Sequence, residues 1–321
     1  MKTKHLISIS DLEKEDILEI LETAKNLKKK SVAVCRSNSN RLMKQARHFR
    51  PLQGKTLAMI FSKPSTRTRV SFETGIYQLG GLGLFLSGQE LQLGRGETIA
   101  DTARTLSKYV SGVMMRTFNH NDVVEFAKYS TVPVINGLTD LEHPCQALGD
   151  IFTIIEKKSQ INKLKNLRFV FVGDGNNVVN SLMLLCAKLS MTFTVVSPSG
   201  YEPSKNIFKM TENISKKTGA LINVSNNIKD VAGADVIYTD VWTSMGQESE
   251  REKRLSIFRP YQVNSSLLSR AKPDCIVMHC LPAKRGEEIT DDVIDSKKSV
   301  VFDQAENRLH IQKAIMFLLM K

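Results

Sequence analysis

The stretch that decides the fold runs from Leu57 to Arg69 and reads LAMIFSKPSTRTR. It opens with an apolar run, Leu57–Phe61, that is typical of a buried strand. A segment rich in Ser, Thr and Arg follows, and a helix is predicted from Arg67 to Leu79. Because a strand that leads directly into a helix is the first half of a strand–helix–strand unit, this stretch predicts a parallel sheet covered by helices.

The same alternation continues along the chain. A first series of short apolar runs is separated by helical stretches, and its members are Leu57–Phe61, Leu82–Leu86, Val113–Met115 and Val132–Ile135. A second series follows a helix predicted over Gln146–Lys157, and its members are Phe169–Val172, Phe193–Val196, Leu221–Val224, Val236–Thr239, Ile276–Met278 and Val300–Phe302. This alternation predicts an α/β protein with two parallel-sheet domains, each flanked by helices.

The two ends of the chain are predicted to be helical. Ser10 and Glu13 have the spacing of a capping box, and the apolar residues after them recur at helical intervals. The last helix, predicted over Gln304–Met320, is amphipathic, and its pattern allows packing on either domain. We place the division between the domains near residues 140–150.

The charge of the chain is strongly positive. The formal net charge is +12, and residues 1–60 contribute 13 Lys and Arg against 6 Asp and Glu, an excess of 13 − 6 = +7. Much of it falls in the segment Ser31–Arg50, where Phe49 is the one aromatic residue. Basic runs bind nucleic acid in some proteins, but they are more often solvated surface. A basic surface also attracts small phosphorylated anions.

The remaining composition indicates a globular cytosolic protein. No stretch approaches the roughly 18 uninterrupted apolar residues that a membrane span needs. The first residues have no apolar run of the kind that a signal peptide carries. Five cysteines, an odd number without framework spacing, favour reduced thiols and a cytosolic setting.

The segment after the first strand has the properties of a phosphate site. Backbone N–H groups and the dipole at a helix start favour an anion. Here they coincide with the hydroxyls of Ser65, Thr66 and Thr68 and with the guanidinium of Arg67, which can bind phosphate through two hydrogen bonds. A helix cap alone would need one hydroxyl. The surplus of hydroxyls and arginines favours a bound anion over a cap.

Two other nucleotide motifs are incomplete. Gly54-Lys55-Thr56 resembles the end of a Walker A loop, but it precedes a strand instead of following one. The run Gly173–Val178 begins like a dinucleotide fingerprint, yet Val178 stands where the third glycine belongs. A nicotinamide-dependent dehydrogenase therefore remains a weaker alternative.

Polar residues follow several other predicted strands, where parallel sheets bind their ligands. Arg116 ends the third strand, and His143 stands before a helix that contains Gln146. In the second domain, Asp240 and the pair His279-Cys280 follow strands. The His143-x-Cys145 and His279-Cys280 pairs could together bind zinc, but neither has the C-x-x-C spacing of structural zinc sites.

Four of these motifs resemble the signatures of the aspartate/ornithine carbamoyltransferase family. They are Ser65-Thr66-Arg67-Thr68-Arg69, His143-Pro144-x-Gln146, Ser244-Met245-Gly246 and His279-Cys280-Leu281-Pro282. The resemblance extends in the family's order from Gly54 to Arg308, and the last two motifs are those of the ornithine-specific branch. Gly149 departs from the pattern, because the family is expected to have Ala there.

The resemblance implies a role for each matching residue. The carbamoyl phosphate site would comprise Ser65, Thr66, Arg67, Thr68, Gln92, Arg116, His143, Gln146, Cys280, Leu281 and Arg308. Ornithine would be bound by Asn177, Asp240, Ser244 and Met245, and the residues at the reacting centre would be Arg116, His143 and Cys280. Residues 1–142, joined by a C-terminal helix at 304–321 that packs back on them, would form the carbamoyl phosphate domain, and residues 143–303 the ornithine domain.

The activity implied is transfer of the carbamoyl group of carbamoyl phosphate to the side-chain amine of L-ornithine, without metal or organic cofactor, in the cytoplasm. Gln92 would reach into a neighbouring subunit's site, which implies a homotrimer, and neither nucleic acid nor membrane is an expected partner. Putrescine or an N-acylated ornithine is the alternative acceptor. A phosphate-sensing or RNA-binding module is the alternative from another class.

Overall fold

Two parallel sheets organise the chain, which a computed structural model describes over residues 1–36, 49–91, 96–158, 161–244, 246 and 248–321. They belong to two compact units, the first formed by Met1–Gly149 with Glu306–Lys321 and the second by Asp150–Ala305. The predicted α/β class with two parallel-sheet domains is confirmed. The functional roles predicted for residues 1–142 and 143–303 stay predictions.

The first unit has a four-stranded sheet in the order β2-β1-β3-β4, with every pair parallel. Its elements in chain order are α1 (Lys14–Arg36), β1 (Thr56–Phe61), α2 (Thr66–Gln78), β2 (Leu82–Ser87), α3 (Ile99–Tyr109), β3 (Gly112–Arg116), α4 (His120–Tyr129), β4 (Val134–Leu138) and the start of α5 (Pro144–Lys157). The strands β1 and β3 are buried along nearly their whole length, as central parallel strands require.

The second unit has a five-stranded parallel sheet in the order β7-β6-β5-β8-β9. Its elements are β5 (Arg168–Val172), α6 (Asn177–Lys188), β6 (Thr192–Val196), α7 (Lys205–Thr218), β7 (Leu221–Ser225), β8 (Val236–Thr239), α8 (Arg251–Phe258), α9 (Ser265–Leu268), β9 (Ile276–His279), α10 (Asp291–Ile294) and the start of α11 (Val301–Met320). One hydrophobic core of this unit consists mostly of β-branched side chains, contributed by the sheet and by the helices and loops packed on it.

The strand order fixes where each sheet presents polar side chains. In the first sheet the order changes direction between β1 and β3, and in the second between β5 and β8. Ligands of open parallel sheets bind beyond the carboxyl ends of the strands at such a switch point. The segments that leave these strands are Ser62–Ser65, Thr117, Gly173–Asn176 and Asp240–Ser244.

The last helix returns to the first unit, as predicted. From Glu306 onward α11 belongs to that unit. It approaches α2 and β3 closely, because a methyl group at Gly75 would lie 2.9 Å from Cε of Met316 and one at Gly112 would lie 3.1 Å from Sδ of Met320. Glycine at these two positions permits the close packing of α11.

The strand predicted over Val300–Phe302 is wrong. Val301 and Phe302 are the first residues of α11. The segment before them pairs with β9 through a bridge between Val277 and Ser299, with hydrogen bonds from Val277 N to Lys298 O over 2.9 Å and from Val300 N to Val277 O over 3.0 Å. A run of three apolar residues fits both periodicities, so its pattern does not distinguish a strand end from a helix start.

The predicted capping box is displaced by two residues. Ser8, not Ser10, is the cap: its hydroxyl accepts from the backbone of a short 3-10 turn, Ile9–Asp11, and Asp11 bonds back to the Ser8 N–H. Helix α1 starts only at Lys14. The sequence holds two overlapping Ser-x-x-acid patterns, and local spacing alone could not decide between them.

Two sequence features fall partly outside the described residues. Of the basic segment Ser31–Arg50, residues 37–48 are not described. Gln92 and Met245 are also outside the described ranges.

Among the helices that are described, none combines the length and the apolar character needed to cross a bilayer.

Two glycines differ sharply in what surrounds them. Gly175 lies where the loop after β5 meets the loop after β6, and its N–H donates to Tyr201 O over 2.9 Å. A methyl group there would lie 2.3 Å from Pro203 N and 2.4 Å from Glu202 C, both backbone atoms. At Gly149, inside α5, a methyl group would meet only atoms of Arg308 at 3.8 Å or more.

We therefore predict opposite effects of two Gly→Ala substitutions. Gly149→Ala should stabilise the protein by about 0.5–1 kcal/mol, because alanine loses less conformational freedom in a helix. Gly175→Ala should destabilise it by about 1–3 kcal/mol or more, because the two loops must separate. The midpoints of thermal unfolding of both variants and the wild type provide the measurement. An unchanged midpoint in Gly175→Ala would contradict the loop crossing.

Candidate active site

The start of α2 holds the residues predicted to bind phosphate in the first unit. Ser65 is the helix cap, and its hydroxyl accepts a hydrogen bond of 3.2 Å from Thr68 N. Thr66 is exposed at the first helical position and Arg67 is half-buried beside it. Of the hydroxyls of Ser65, Thr66 and Thr68, that of Ser65 therefore caps the helix. The remaining N–H groups of the first turn and the helix dipole would favour an anion at this position.

Thr68 is the centre of a buried arginine cluster. Its hydroxyl oxygen accepts from Nη2 of Arg308 over 2.9 Å and lies 3.5 Å from Nη1 of Arg116. All three side chains are buried. Since the oxygen accepts from an arginine, the hydroxyl hydrogen of Thr68 could be donated to a further acceptor such as a ligand.

Arg308 also fixes Gln146. Nη1 of Arg308 donates to Oε1 of Gln146 over 2.7 Å. Because the amide oxygen is taken by the guanidinium, the amide NH₂ group is the part of Gln146 that is oriented for other acceptors. Gln146 on α5, Arg308 on α11 and Thr68 on α2 are therefore joined by hydrogen bonds into one group of potential donors.

Arg67 and Arg69 have different surroundings although they are two residues apart. Nε of Arg69 donates to Glu73 over 3.1 Å, and its guanidinium stacks 3.8 Å from the ring centroid of Phe85. Within the described residues, the guanidinium of Arg67 forms no hydrogen bond or ion pair with another side chain, and its backbone carbonyl accepts from Oγ of Ser71 over 2.6 Å. Arg69 thus stabilises the packing of α2 on β2, and Arg67 is the residue with capacity for an anion.

His143 is a neutral imidazole in this environment. It is buried directly before α5, where burial first, and then the charges of Arg308, Arg116 and Arg67, hold its pKa well below the usual value. A neutral imidazole carries a hydrogen on one ring nitrogen only and can donate it to a developing oxyanion. The three arginines that keep His143 neutral also make the site favourable for a dianion.

Asp240, after β8, anchors the corresponding cluster of the second unit. Its Oδ1 accepts from Val241 N over 2.8 Å and from Sγ of Cys280 over 2.9 Å. Its Oδ2 accepts from Nδ2 of Asn176 over 2.7 Å. Asn176 is at the same time the cap of α6, with Oδ1 bonded to the N–H groups of Val178 and Val179. The carboxylate is therefore held in one orientation.

Cys280 is a protonated thiol. Burial, followed by the charge of Asp240 and the hydrogen bond to it, raises the pKa of Cys280 well above its usual value. A thiolate nucleophile needs the opposite conditions, a nearby cation or a helix N-terminus. Cys280 can thus act as a hydrogen-bonding group and does not have the surroundings of a covalent catalyst.

The turn after β9 is shaped by His279. Its Nδ1 accepts from Leu281 N over 2.8 Å, so Nε2 carries the hydrogen and donates to Oε1 of Glu288 over 3.0 Å. Both His279 and Glu288 are fully buried. Leu281 has a positive φ of 57°, which is uncommon for a residue other than glycine and marks a tightly determined backbone.

Three potential metal ligands lie together in the second unit. The ligand atoms of Asp240, His279 and Cys280 are within 4.8 Å of one another. In this structure, however, both ring nitrogens of His279 are engaged and the thiol hydrogen of Cys280 is directed to Asp240. Zinc requires a deprotonated thiol and a free imidazole nitrogen, so the arrangement is that of a hydrogen-bonded network.

Gly175, the second glycine of the dinucleotide-like run Gly173–Val178, does not have the role of a nucleotide-binding glycine. The face of Gly175 that would approach a pyrophosphate in a Rossmann site is covered by the backbone of Glu202 and Pro203. The residue is needed for this crossing of two loops. The dehydrogenase hypothesis therefore loses the motif that supported it.

The predicted residues that the structure describes are divided between the two units. The first unit contains Ser65, Thr66, Arg67, Thr68, Arg116, His143, Gln146 and Arg308, and the second contains Asn177, Asp240, Ser244, Cys280 and Leu281. Asn177 opens α6, and Ser244 is half-buried in the loop after β8. Sequence reasoning missed Asn176 and Glu288. An Asn directly before a helix was the available signal for the first, whereas no local pattern marked Glu288.

Two family models match the chain. Residues 4–156 match the family model described as the aspartate/ornithine carbamoyltransferase carbamoyl-P binding domain, and residues 165–319 match that of the Asp/Orn binding domain. The chain is 56% identical to ornithine carbamoyltransferase of Thermococcus kodakarensis, over 99% of this chain and 96% of that protein. It is 55% identical to the anabolic ornithine carbamoyltransferase of Pyrococcus furiosus, with the same coverage.

Solved structures show the same likeness. The ornithine carbamoyltransferase from Pyrococcus furiosus superposes with a TM-score of 0.90 at 54% identity, covering 98% of this chain and 96% of that one. The anabolic ornithine carbamoyltransferase from Campylobacter jejuni has a TM-score of 0.88 at 39% identity, with 99% of both chains covered.

The surroundings of Cys280 lead to a prediction about its reactivity. Asp240→Asn removes a charge that raises the pKa of the thiol, so a larger fraction of Cys280 should be thiolate at pH 8. Alkylation by iodoacetamide, followed at the Cys280 peptide by mass spectrometry, should become several-fold faster. Cys186, which is buried elsewhere in the same unit, provides the internal control. Equal rates at Cys280 in both proteins would contradict the electrostatic role of Asp240.

Proposed function

The chain belongs to the aspartate/ornithine carbamoyltransferase family, and we propose that it transfers the carbamoyl group of carbamoyl phosphate to the side-chain amine of L-ornithine, giving L-citrulline and phosphate. The observation that carries this function is the arginine cluster around Thr68 with a neutral His143 beside it. That array suits an acyl phosphate, which combines a dianion with a carbonyl oxygen. The full-length likeness to proteins named ornithine carbamoyltransferase supports ornithine as the acceptor.

Carbamoyl phosphate would bind to the first unit through its phosphate. The start of α2 supplies N–H groups and the hydroxyls of Thr66 and Thr68, and Arg67 supplies a planar pair of donors. The carbamoyl group would lie toward Arg116, His143 and Gln146. In the proposed assignment Arg308 acts by orienting Thr68 and Gln146, and it contributes positive potential.

The same donors would stabilise the transition state. Attack on the carbamoyl carbon converts its carbonyl oxygen into an oxyanion. Thr68, Arg116 and neutral His143 are the proposed donors to that oxygen, and such a donor is typically worth about 3–4 kcal/mol. Because these side chains are buried and already fixed by the fold, little reorganisation accompanies the reaction.

Ornithine would bind to the second unit. Asn177, Asp240, Ser244 and Met245 are the proposed contacts for its α-amino and carboxylate groups, with Met245 outside the described residues. Cys280 and Leu281 would line the reacting centre. As a protonated thiol, Cys280 would orient groups by hydrogen bonding and would form no covalent intermediate.

The proton balance of the step follows from the two substrates. The δ-amine of ornithine should resemble lysine, with a pKa of about 10.4, so roughly one molecule in a thousand or fewer is nucleophilic at pH 7. The amine nitrogen forms a bond to the carbamoyl carbon, and the bond from that carbon to the phosphate oxygen breaks. The proton that leaves the nitrogen is accepted by the departing phosphate.

Assembly and location complete the proposal. We propose a homotrimer in which Gln92, outside the described residues, reaches a neighbouring subunit's site. No metal and no organic cofactor takes part. A cytoplasmic location is supported by the thiols of Cys145, Cys186, Cys275 and Cys280, all of which are free.

We predict that two neighbouring arginines differ in their effect on substrate binding. Arg67→Ala should weaken carbamoyl phosphate binding by about 10- to 100-fold, the loss of charge-assisted hydrogen bonds worth roughly 1.5–3 kcal/mol. Arg69→Ala should change it by less than about threefold, because an exposed ion pair contributes little. Isothermal titration with carbamoyl phosphate alone gives both values. Equal losses in the two variants would refute the assignment.

The function itself is tested by measuring the ureido product colorimetrically with carbamoyl phosphate and one acceptor at a time. The acceptors are L-ornithine, putrescine, N-acetylornithine and aspartate. We expect product with ornithine alone. Product with putrescine or N-acetylornithine instead would retain the phosphate site and replace the acceptor, whereas no product with any acceptor would refute carbamoyl transfer.

A further inference from the structure

Glu142 is a buried carboxylate of the first unit that the proposed reaction does not use. It stands directly before His143 and exposes only 1% of its surface. Its Oε1 accepts a hydrogen bond from Oγ of Ser8, and its Oε2 accepts one of 3.1 Å from Ile9 N. Because a buried carboxylate lowers the stability of a protein unless its oxygens are hydrogen-bonded, these bonds compensate for its burial.

The segment that contacts Glu142 is itself fixed on the first sheet. It runs parallel to β4, where Leu6 forms a bridge with Ile135. Asn136 N donates to Leu6 O over 2.7 Å, and the side chain of Asn136 donates to Ile7 O over 2.8 Å. The segment is therefore anchored on β4 independently of Glu142.

Ser8 presents its hydroxyl hydrogen to Glu142 because the same side chain caps the turn Ile9–Asp11. Oγ of Ser8 accepts from Ser10 N over 2.9 Å and lies 2.8 Å from Oγ of Ser10. A hydroxyl has two lone pairs and one hydrogen, so the cap uses the oxygen of Ser8 as an acceptor and leaves its hydrogen for the carboxylate. One side chain thus supports the local turn and a contact with a residue 134 positions away.

The main chain of Glu142 closes the turn between β4 and α5. Thr139 N donates to Glu142 O over 2.9 Å, and Glu142 N donates to Oγ1 of Thr139 over 3.2 Å. Oγ1 of Thr139 also lies 2.9 Å from Nδ1 of His120 on α4. The carbonyl of His143, the next residue, accepts from Gln146 N over 3.1 Å in the first turn of α5. Glu142 therefore joins this turn to the residue that would contact the carbamoyl group.

The position of His143 matters because a neutral imidazole has one hydrogen to donate. In the proposed reaction that hydrogen is directed at the oxygen of the carbamoyl group, and a misplacement of about 1 Å lowers the rate by roughly 100-fold. The arginines around the imidazole offer donors only, so none of them can accept its hydrogen and fix its direction. A residue that fixes the adjacent main chain is therefore expected to affect the reaction without contacting a substrate.

We propose that Glu142 is a positioning residue for His143, and that its bonds to Ser8 and Ile9 hold the turn before α5 so that the imidazole is directed at the carbamoyl oxygen. The inference rests on the proposed function, since it names a residue that supports the same site. The role depends on hydrogen bonds. An effect of charge on His143 would require the negative charge of Glu142, and a packing role would require only its volume.

Three substitutions in the full-length protein separate hydrogen bonding, charge and volume. Glu142→Gln removes the charge but keeps an acceptor for Ile9 N, and its NH₂ group can donate to Oγ of Ser8, whose own hydrogen then turns to Ser10. Glu142→Met keeps a similar volume and removes both acceptors. Ser8→Ala removes one donor and leaves the carboxylate in place. Glu125→Gln is the matched control, because Glu125 is an exposed carboxylate on α4 of the same unit.

Turnover and binding are measured separately for each protein. Steady-state kinetics at saturating carbamoyl phosphate give kcat and KM for ornithine, and calorimetry gives the affinities for carbamoyl phosphate and for inorganic phosphate. Inorganic phosphate lacks the carbamoyl group, so the ratio of the two affinities reports the contacts that His143 and its neighbours would make with that group. Thermal unfolding of each variant reports its stability.

We expect Glu142→Met to lower kcat by about 10- to 100-fold and to lower the preference for carbamoyl phosphate over inorganic phosphate by about fivefold or more. Its affinity for inorganic phosphate and its KM for ornithine should stay within about twofold of wild type, because the start of α2 and the second unit are not changed. Ser8→Ala should show a smaller loss of the same kind. Glu142→Gln should stay within about threefold of wild type in kcat, and Glu125→Gln should be unchanged.

The double variant Glu142→Met with Ser8→Ala tests whether the two residues act through one contact. Its loss should equal that of Glu142→Met alone, and additive losses would overturn the inference. A wild-type kcat and preference in Glu142→Met, an equal loss of affinity for both anions, or a loss in Glu142→Gln as large as in Glu142→Met would each overturn it as well.

Folding and the proposed function are controlled separately. If Glu142→Met fails to fold, Ser8→Ala decides the question, because it retains the bond between Glu142 and Ile9. A wild-type kcat and preference in Ser8→Ala would then overturn the inference. No turnover of ornithine by the wild type would overturn the proposed function, whereas the comparison of the two anions tests Glu142 without turnover.

Discussion

The hydrogen bonds of Arg308 are the constraint on which the arginine cluster of the first unit depends. This one guanidinium joins Thr68 at the start of α2 to Gln146 in α5, and it comes from the last helix, 240 positions after Thr68 in the chain. Its planar geometry fixes both partners at once. The return of α11 to the first unit thus places Arg308 beside Thr68 and Gln146, the residues proposed to bind carbamoyl phosphate.

Each of the two clusters contains a buried titratable group that is kept neutral, by neighbouring positive charges in the first unit and by a negative charge in the second. In the first unit, burial and arginine charges lower the pKa of His143 and keep it unprotonated, and in the proposed reaction it would donate a hydrogen bond to the oxyanion. In the second, burial and a carboxylate keep Cys280 protonated. A cationic cluster suits a dianionic acyl phosphate, and an acidic one suits an amine that arrives with a proton. The difference in charge between the clusters mirrors the difference between the two proposed substrates.

The sheets explain why polar residues so distant in sequence lie together. Both sheets reverse their strand order once, between β1 and β3 and between β5 and β8. Arg116 pairs with Phe61 in register, so the end of β3 lies beside the start of the anion loop. Asn176 and Asp240 are brought together in the same manner at the second reversal. In both sheets, polar residues thus follow the strands at the point where the strand order reverses, but the residue types differ between the two sheets.

The sequence by itself determined the class of the fold, the sites of its motifs and the family, because periodicity, helix starts and short motifs are local properties. Alternating strands and helices predicted two parallel sheets, and Ser65–Arg69 predicted an anion site. Local patterns could not decide between two overlapping capping boxes or between a strand and a helix at Val300–Phe302. Only the tertiary structure decided the partners of Arg308, the capping role of Asn176 beside Asp240 and the hydrogen bonds from Ser8 and Ile9 to Glu142. Those contacts join distant segments, and the protonation states of His143 and Cys280 follow from burial, which no local pattern encodes.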